Sequence, residues 1–208
     1  KKTIVVGAGA MGIGIAQVLS QAGVNVLLYD IDPEGVKKAL EKLHKTMERL
    51  VLKGKIDQAD SLEIFKRITP IESLSKEQDT DLVIEAISEN IDLKRRLFEQ
   101  LEQIFPADTI FATNTSSLSI ASLAKELNQP ERLIGIHFFN PAALMPLVEI
   151  IPSLATSPEL VSQCKTWLLQ MGKSPVVAKD SPGFIVNRVA RAFYGEAMNI
   201  YEEGIASP

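Results

Sequence analysis

Apolar residues occur along the chain in two kinds of segment. Short uninterrupted runs, such as residues 3–6 and 82–87, predict strands buried on both faces of a parallel sheet. Longer segments with apolar residues three or four positions apart, such as residues 10–22 and 91–105, predict helices. Further strands are predicted at residues 24–29, 109–113, 133–138, 147–151 and 175–178, and further helices at residues 34–53, 59–67, 119–127, 158–171 and 184–203. This alternation predicts an α/β fold with a doubly wound, mostly parallel sheet and a helical insertion after the second strand.

The clearest domain boundary is the sequence Asp180-Ser181-Pro182-Gly183, which precedes a last long helix. Residues 1–182 are therefore predicted to form one domain, and residues 183–208 a separate helical segment. The apolar positions of that helix favour burial against another surface; they are Ile185, Val189, Phe193, Met198 and Tyr201. The helix could pack back on the sheet or begin a further helical domain.

Composition excludes several classes of protein. The chain has 208 residues, of which 46% are hydrophobic and 23% charged, as in average soluble globular proteins. A net charge of -4 argues against nucleic-acid binding, and no apolar run reaches the ~18 residues of a membrane span. With two histidines and one cysteine, no multi-ligand zinc site is expected. Cys164 has no partner for an internal disulfide, which favours a reducing compartment and a cytoplasmic location.

A glycine-rich turn follows the first predicted strand and opens the first predicted helix. Its sequence is Gly7-Ala8-Gly9-Ala10-Met11-Gly12, which fits the dinucleotide-binding pattern G-x-G-x-x-G. The first glycine permits the tight turn, the second lets the backbone approach a pyrophosphate, and the third permits close helix–strand packing. Asp30 follows the second predicted strand, where a carboxylate binds ribose hydroxyls and repels a 2′-phosphate. The sequence therefore predicts a Rossmann-type site for NAD; a glycine-rich turn with a capping aspartate is the alternative.

A second set of polar residues follows later strands. Asn114, Thr115 and Ser116 come directly after one predicted strand, at the edge where ligands bind in open α/β sheets. His137 ends another strand, and Glu149 lies inside the apolar strand that follows, where a carboxylate is costly without a partner. A His–Glu pair would provide a general base with a fixed tautomer. The alternatives are a histidine satisfied in the core and a glutamate paired with a lysine.

Several separated motifs make the chain similar to a known family. They are the glycine-rich turn, residues 83–90, residues 114–117, residues 137–141 with Glu149, and residues 181–188. Together they resemble the 3-hydroxyacyl-CoA dehydrogenase family over nearly the whole chain, and closely its short monofunctional type, which includes 3-hydroxybutyryl-CoA dehydrogenases. The resemblance implies NAD-dependent oxidation of (S)-3-hydroxyacyl-CoA to 3-ketoacyl-CoA in fatty-acid β-oxidation, or the reverse reduction in butanoate formation.

The resemblance also implies roles for individual residues. His137 would remove the proton of the 3-hydroxyl group, and Glu149 would orient and stabilise His137. Ser116 would hydrogen-bond the reacting oxygen or the cofactor, and Asn187 would help to hold the acyl group. The cofactor site would be lined, together with Asp30, by Glu89, Lys94 and Asn140. For Lys94, a solvated position on a helix is the alternative.

The same resemblance implies how the substrate is bound and how the protein assembles. In the family, a further helical domain completes the substrate cleft and carries the dimer contacts, so residues from 183 onward would begin that domain. Candidates to bind the acidic CoA moiety are Lys42, Lys45, Arg49 and Lys53, although a solvated lysine face is the favoured interpretation. Two other functions remain open: an NAD-binding fragment or crystallin-like relative without turnover, and a related 3-hydroxy acid dehydrogenase that uses a catalytic lysine.

Overall fold

The computed structural model describes residues 2–76 and 79–207. Within these residues the strands are β1 (Lys2–Val6), β2 (Asn25–Tyr29), β3 (Ile68–Ile71), β4 (Leu82–Glu85), β5 (Ile110–Thr113), β6 (Leu133–Phe138), β7 (Leu147–Pro152) and β8 (Ser174–Val177). The α-helices are α1 (Ala10–Gln21), α2 (Pro33–Leu52), α3 (Gln58–Lys66), α4 (Ile91–Ile104), α5 (Ile120–Ala124), α6 (Pro158–Gln170) and α7 (Val186–Glu202). A short 3₁₀ helix, Pro130–Arg132, precedes β6.

The strands form one sheet in the order β3-β2-β1-β4-β5-β6-β7-β8. All neighbouring pairs are parallel except β6–β7, which is antiparallel. The predicted fold class, a doubly wound and mostly parallel sheet with a helical insertion, is therefore confirmed. The strand order reverses between β1 and β4, and ligands of such sheets bind outside the carboxyl ends of the strands at this point.

Strand β3 is the main element that the hydrophobic pattern does not predict. Its sequence, Ile68-Thr69-Pro70-Ile71, is short and interrupted by Thr69 and Pro70, so it contains no continuous apolar run. It lies at the sheet edge and pairs with β2 alone, a position that tolerates a proline. Some element bounds also differ: α5 ends at Ala124 although helical spacing continues to residue 127, β4 ends at Glu85 and not at residue 87, and α7 begins at Val186 and not at residue 184.

Helices cover both faces of the sheet. On one face, buried side chains of α1, α2 and α6 form a core that includes Ile15, Met47 and Leu168. On the other face, α4 and α5 form a second core that includes Phe98 and Leu123. Burial of apolar surface is the main stabilising contribution in such layers, so the two cores hold the carboxyl ends of the strands in a fixed row.

Helix α7 lies outside this packing. The structure describes every residue of α7, and none of them is buried. Val189 is 65% exposed and Phe193 is 72% exposed. The helix therefore does not pack back on the sheet, which removes that alternative. Neither α7 nor any other helix within residues 2–76 and 79–207 combines the length and the apolar character needed to cross a membrane.

Candidate active site

The glycine-rich turn connects β1 to α1 at the point where the strand order reverses. Gly7 has a φ of +106°, and a Cβ atom there would lie 2.5 Å from the Ala86 carbonyl oxygen. A Cβ atom on Gly12 would overlap the Gly7 carbonyl oxygen, so α1 packs against the turn closely enough to require glycine. A Cβ atom on Gly9 would meet nothing within 4 Å. The backbone at Gly9 is thus open to a ligand, and α1 begins directly afterwards at Ala10.

Asp30 follows β2 and contacts the same turn. Its Oδ2 atom accepts a hydrogen bond from the Ala8 N–H at 2.6 Å, and its Oδ1 atom accepts one from the Asp32 N–H at 3.0 Å. Asp30 borders a cleft of about 520 Å³ that Gly9 and Ile87 also line. The carboxylate retains acceptor capacity toward this cleft, because each of its oxygens can accept more than one hydrogen bond.

A second cleft, of about 290 Å³, shares Ala86 and Ile87 with the first. It brings together residues from α1, α4 and the segments after β4, β5 and β6, in agreement with the binding edge of the sheet. Six of the predicted site residues line it, namely Met11, Glu89, Lys94, Ser116, His137 and Asn140. Residues that are far apart in the sequence thus surround one space beside the glycine-rich turn.

His137 and Glu149 form a buried pair across the antiparallel β6–β7 ladder. The two residues are direct register partners, and His137 Nδ1 lies 2.8 Å from Glu149 Oε2. Glu149 is fully buried and His137 is 6% exposed. The second oxygen, Glu149 Oε1, accepts hydrogen bonds from the Ile185 and Val186 N–H groups, each at 2.9 Å. The partner of Glu149 is therefore His137 and not a lysine. An ionised carboxylate only accepts, so a hydrogen bond to the Glu149 carboxylate would require the hydrogen on Nδ1.

Glu89 organises the segment that follows β5. One of its carboxylate oxygens, Oε1, accepts hydrogen bonds from the Thr115 hydroxyl at 2.6 Å, the Ser116 N–H at 2.8 Å and the Ser116 hydroxyl at 3.1 Å. Partial burial alone would raise the pKa of Glu89, but the bonds from Thr115 and Ser116 and the charge of Lys94 outweigh it and lower the pKa. The Asn187 side-chain amide donates to the Ser116 carbonyl at 3.0 Å, which connects α7 to this segment.

Lys94 is buried in α4 and lies between two glutamates, so the alternative of a solvated lysine is wrong. Its ammonium donates to Glu85 Oε1 at 2.6 Å and lies 3.3 Å from Glu89 Oε2. Lys94 and Glu85 are 1% and 0% exposed. Glu85 also accepts hydrogen bonds from the Thr113 hydroxyl at 2.6 Å and the Ile87 N–H at 2.7 Å. Burial raises the pKa of Glu85, and its contacts with Lys94, Thr113 and Ile87 oppose that change.

Glu85 was not predicted as a site residue, although the sequence contains a pattern that points to it. Glu85 ends the apolar run of β4, fully buried, just as Glu149 interrupts the apolar run of β7. The argument that led from a carboxylate in a buried strand to a partner applies equally to both. Phe184, whose ring centroid lies 5.9 Å from that of His137, was also missed as a site residue, although it lies within the motif of residues 181–188.

Comparison with known proteins agrees with this geometry. Residues 2–181 match the family model described as 3-hydroxyacyl-CoA dehydrogenase, NAD binding domain. The chain is 45% identical to the 3-hydroxyadipyl-CoA dehydrogenase of Escherichia coli K12 over 98% of its own length and 43% of that protein's length. It is 42% identical to the probable 3-hydroxybutyryl-CoA dehydrogenase of Bacillus subtilis strain 168, over its whole length and 72% of that protein.

A solved structure gives the same result. The crystal structure of (S)-3-hydroxybutyryl-CoA dehydrogenase PaaH1 from Ralstonia eutropha superposes with a TM-score of 0.95 at 40% identity, covering all of this chain and 73% of that one. The chain thus spans from less than half to about three quarters of the length of these relatives. The chain belongs to the 3-hydroxyacyl-CoA dehydrogenase family and contains its NAD-binding domain.

Proposed function

We propose that this protein oxidises (S)-3-hydroxyacyl-CoA to 3-ketoacyl-CoA with NAD, or catalyses the reverse reduction. The observation that carries the proposal is the buried His137–Glu149 pair, whose His137 lines the same cleft as Met11 of the glycine-rich turn. Dehydrogenation of an alcohol requires a base for the proton and a cofactor for the hydride beside the same substrate, and this cleft is lined by both a base and the cofactor-binding turn.

The residues of the turn fit a dinucleotide. Gly9 has open space where a side chain would stand, and Gly12 could not carry one. We assign the phosphates to the backbone of Gly7, Gly9 and Ala10 at the start of α1, and the adenosine ribose to Asp30. The nicotinamide end is assigned to the second cleft, beside Met11, Glu89, Lys94 and Asn140.

The hydroxyl proton and the C3 hydride of the substrate go to different acceptors. NAD, when bound, supplies the carbon that accepts the hydride from C3. His137 takes the hydroxyl proton on Nε2, because Nδ1 already donates to Glu149. The Glu149 carboxylate then stabilises the imidazolium and keeps the ring from turning. In the reverse direction the imidazolium returns the proton to the oxygen that becomes the hydroxyl.

Ser116 and Asn187 are proposed to contact the substrate or the cofactor. Ser116 lines the second cleft, and its hydroxyl donates to Glu89. A substrate oxygen in the cleft could replace Glu89 as the acceptor of that hydrogen bond. Asn187 is held by the Ser116 carbonyl at the start of α7, and we propose that its amide helps to hold the acyl group.

A third cleft, of about 460 Å³, supports the proposal that the substrate carries an acidic CoA moiety. It lies between α1 and α2 and is lined by Lys38 and Lys42 and by Asn140. Lys45 and Arg49 are exposed elsewhere on α2, and Lys53 is exposed at its C-terminal end, as a solvated face predicts. Of the basic residues considered, Lys42 is therefore the one we propose for the CoA moiety.

The apolar side chains exposed on α7 support a contact with a further helical domain, through which we propose that the protein forms a homodimer.

The single buried cysteine, Cys164, supports the proposal of a cytoplasmic location. Light scattering of the protein and localisation of a tagged protein in cells test these two proposals.

The test of the reaction is NADH oxidation after addition of acetoacetyl-CoA, with NADH binding measured by fluorescence. His137→Gln should abolish turnover and retain NADH binding, because its side chain removes the base and leaves the glycine-rich turn intact. His44→Gln is the matched control, since His44 is exposed on α2 and should be replaceable without loss. Equal turnover in His137→Gln and the wild type would refute His137 as the base. NADH binding without turnover in the wild type would instead favour the alternative of a cofactor-binding protein.

A further inference from the structure

The turn that precedes α7 has an unusual backbone conformation. Gly183 and Phe184 have consecutive positive φ angles of +75° and +47°. Glycine adopts this region freely, but a bulky residue does so at an energetic cost. Such conformations persist where the surrounding contacts determine them, and they concentrate at functional sites.

The Phe184 side chain contacts the catalytic pair directly. It is 3% exposed, and its ring centroid lies 5.9 Å from that of His137 in an edge-to-face arrangement. Phe139 contacts the same imidazole, with ring centroids 4.4 Å apart. The His137 ring therefore packs against two aromatic rings that come from different parts of the chain.

The backbone after Phe184 holds the other member of the pair. Ile185 and Val186 donate their N–H groups to Glu149 Oε1. Ile185 is the N-cap of α7 and makes no side-chain capping bond, so Glu149 supplies the acceptor that the start of the helix needs. With Oε1 fixed by these two bonds, Oε2 is directed at His137 Nδ1.

We propose that Phe184 is a positioning residue that fixes the His137 tautomer. Its left-handed backbone places two N–H groups on Glu149, and its ring blocks rotation of the imidazole, so that Nδ1 keeps the hydrogen and Nε2 faces the cleft as the base. The consequence for catalysis rests on the proposed function, whereas the tautomer is a property of the protein alone.

The tautomer can be measured directly by NMR of protein labelled with ¹⁵N in histidine, at a pH where the rings are neutral. The chain has two histidines, so the spectrum contains His137 and an internal reference, exposed His44. We compare the wild type with Phe184→Ala and Phe184→Leu. Leu154→Ala is the control, because Leu154 is fully exposed in the loop that follows β7.

The wild type and Leu154→Ala should show His137 with the hydrogen on Nδ1. Phe184→Ala should show a mixture with the Nε2–H tautomer that free imidazole prefers, while the His44 signals stay unchanged. Phe184→Leu, which retains apolar volume, should lie between the two and decides the question if the alanine variant does not fold. An unchanged Nδ1–H tautomer in every folded Phe184 variant would overturn the proposal.

Kinetics separate this proposal from the proposed reaction. If both hold, Phe184→Leu should lower kcat about 10- to 100-fold, the range expected for a misplaced catalytic group, with little change in the KM for NADH. A wild type that shows the Nδ1–H tautomer but does not reduce acetoacetyl-CoA would count against the reaction alone. A Phe184 variant that loses the tautomer and keeps full kcat would overturn the catalytic part of the proposal.

Discussion

Replacing Lys94 with methionine should destabilise the protein strongly. The substitution preserves most of the side-chain volume in α4 but removes the cation that lies 2.6 Å from Glu85. Glu85 would then keep its bonds from Thr113 and Ile87 while its negative charge remained buried without a counter-charge. Removing one partner of a buried ion pair costs far more than removing both.

The expected loss is about 3–5 kcal/mol of unfolding free energy, the range for one partner of a fully buried pair. For a chain of this size, each kcal/mol lowers the melting temperature by roughly 2–4 °C, so the shift should be about 6–20 °C. The matched control is Lys66→Met. Lys66 forms an exposed ion pair with Glu63, and its replacement should change the unfolding free energy by less than about 0.5 kcal/mol.

The penalty should also depend on pH. Burial already raises the pKa of Glu85, and loss of Lys94 raises that pKa further. A carboxyl group with a raised folded-state pKa favours the folded state below its unfolded pKa, and this stability is lost as the pH rises through the folded pKa. The difference in stability between Lys94→Met and the wild type should therefore be smaller at pH 5 than at pH 8.

Urea and thermal denaturation at both pH values measure these differences. The double variant Glu85→Gln/Lys94→Met should recover more than half of the lost stability, because both charges are then absent. A Lys94→Met variant as stable as Lys66→Met, or a double variant no better than Lys94→Met, would refute the assignment of Glu85 and Lys94 as a mutually dependent buried pair.

Three shorter predictions concern the cofactor site and the core. Gly12→Ala places a Cβ atom against the Gly7 carbonyl and should weaken NADH binding at least about tenfold in a fluorescence titration, whereas Gly195→Ala, in open space on α7, should not. Asp30→Ala should lower the ratio of NADH to NADPH affinity at least about tenfold, because the carboxylate that repels the 2′-phosphate is gone; an unchanged ratio would exclude this role. Burial raises the pKa of the Cys164 thiol to about 12, so its reaction with a thiol reagent at pH 8 should be on the order of 1,000-fold slower in native protein than in denaturant, because the thiolate fraction falls by that factor.

The sequence was sufficient to predict the parts of the fold that repeat a strong local pattern. The glycine-rich turn, the buried strands and the long helices each contain enough apolar or glycine residues at fixed spacing to be recognised. Strand β3 was missed because its pairing with β2 depends on the sheet and not on its own composition. Propensity alone does not distinguish such an edge strand from a loop.

The candidate site shows the same limit. The location of His137 at a strand end and the need of Glu149 for a partner follow from the sequence, but their contact depends on the antiparallel register of β6 and β7. The burial of Lys94 could not be predicted, since helix α4 is polar at most positions and only the fold places Glu85 beneath it. The conformation of Phe184 likewise depends on tertiary contacts.

The register of β6 and β7 has a consequence for how this protein can change. His137 and Glu149 meet because they are opposite each other in the ladder, and the intervening loop of residues 139–146 does not set that contact. Insertions in the loop would reshape the cleft wall and leave the pair aligned. One extra residue inside β7 ahead of Glu149 would turn its carboxylate to the opposite face of the sheet. Substrate preference can therefore diverge through this loop while the chemistry stays the same.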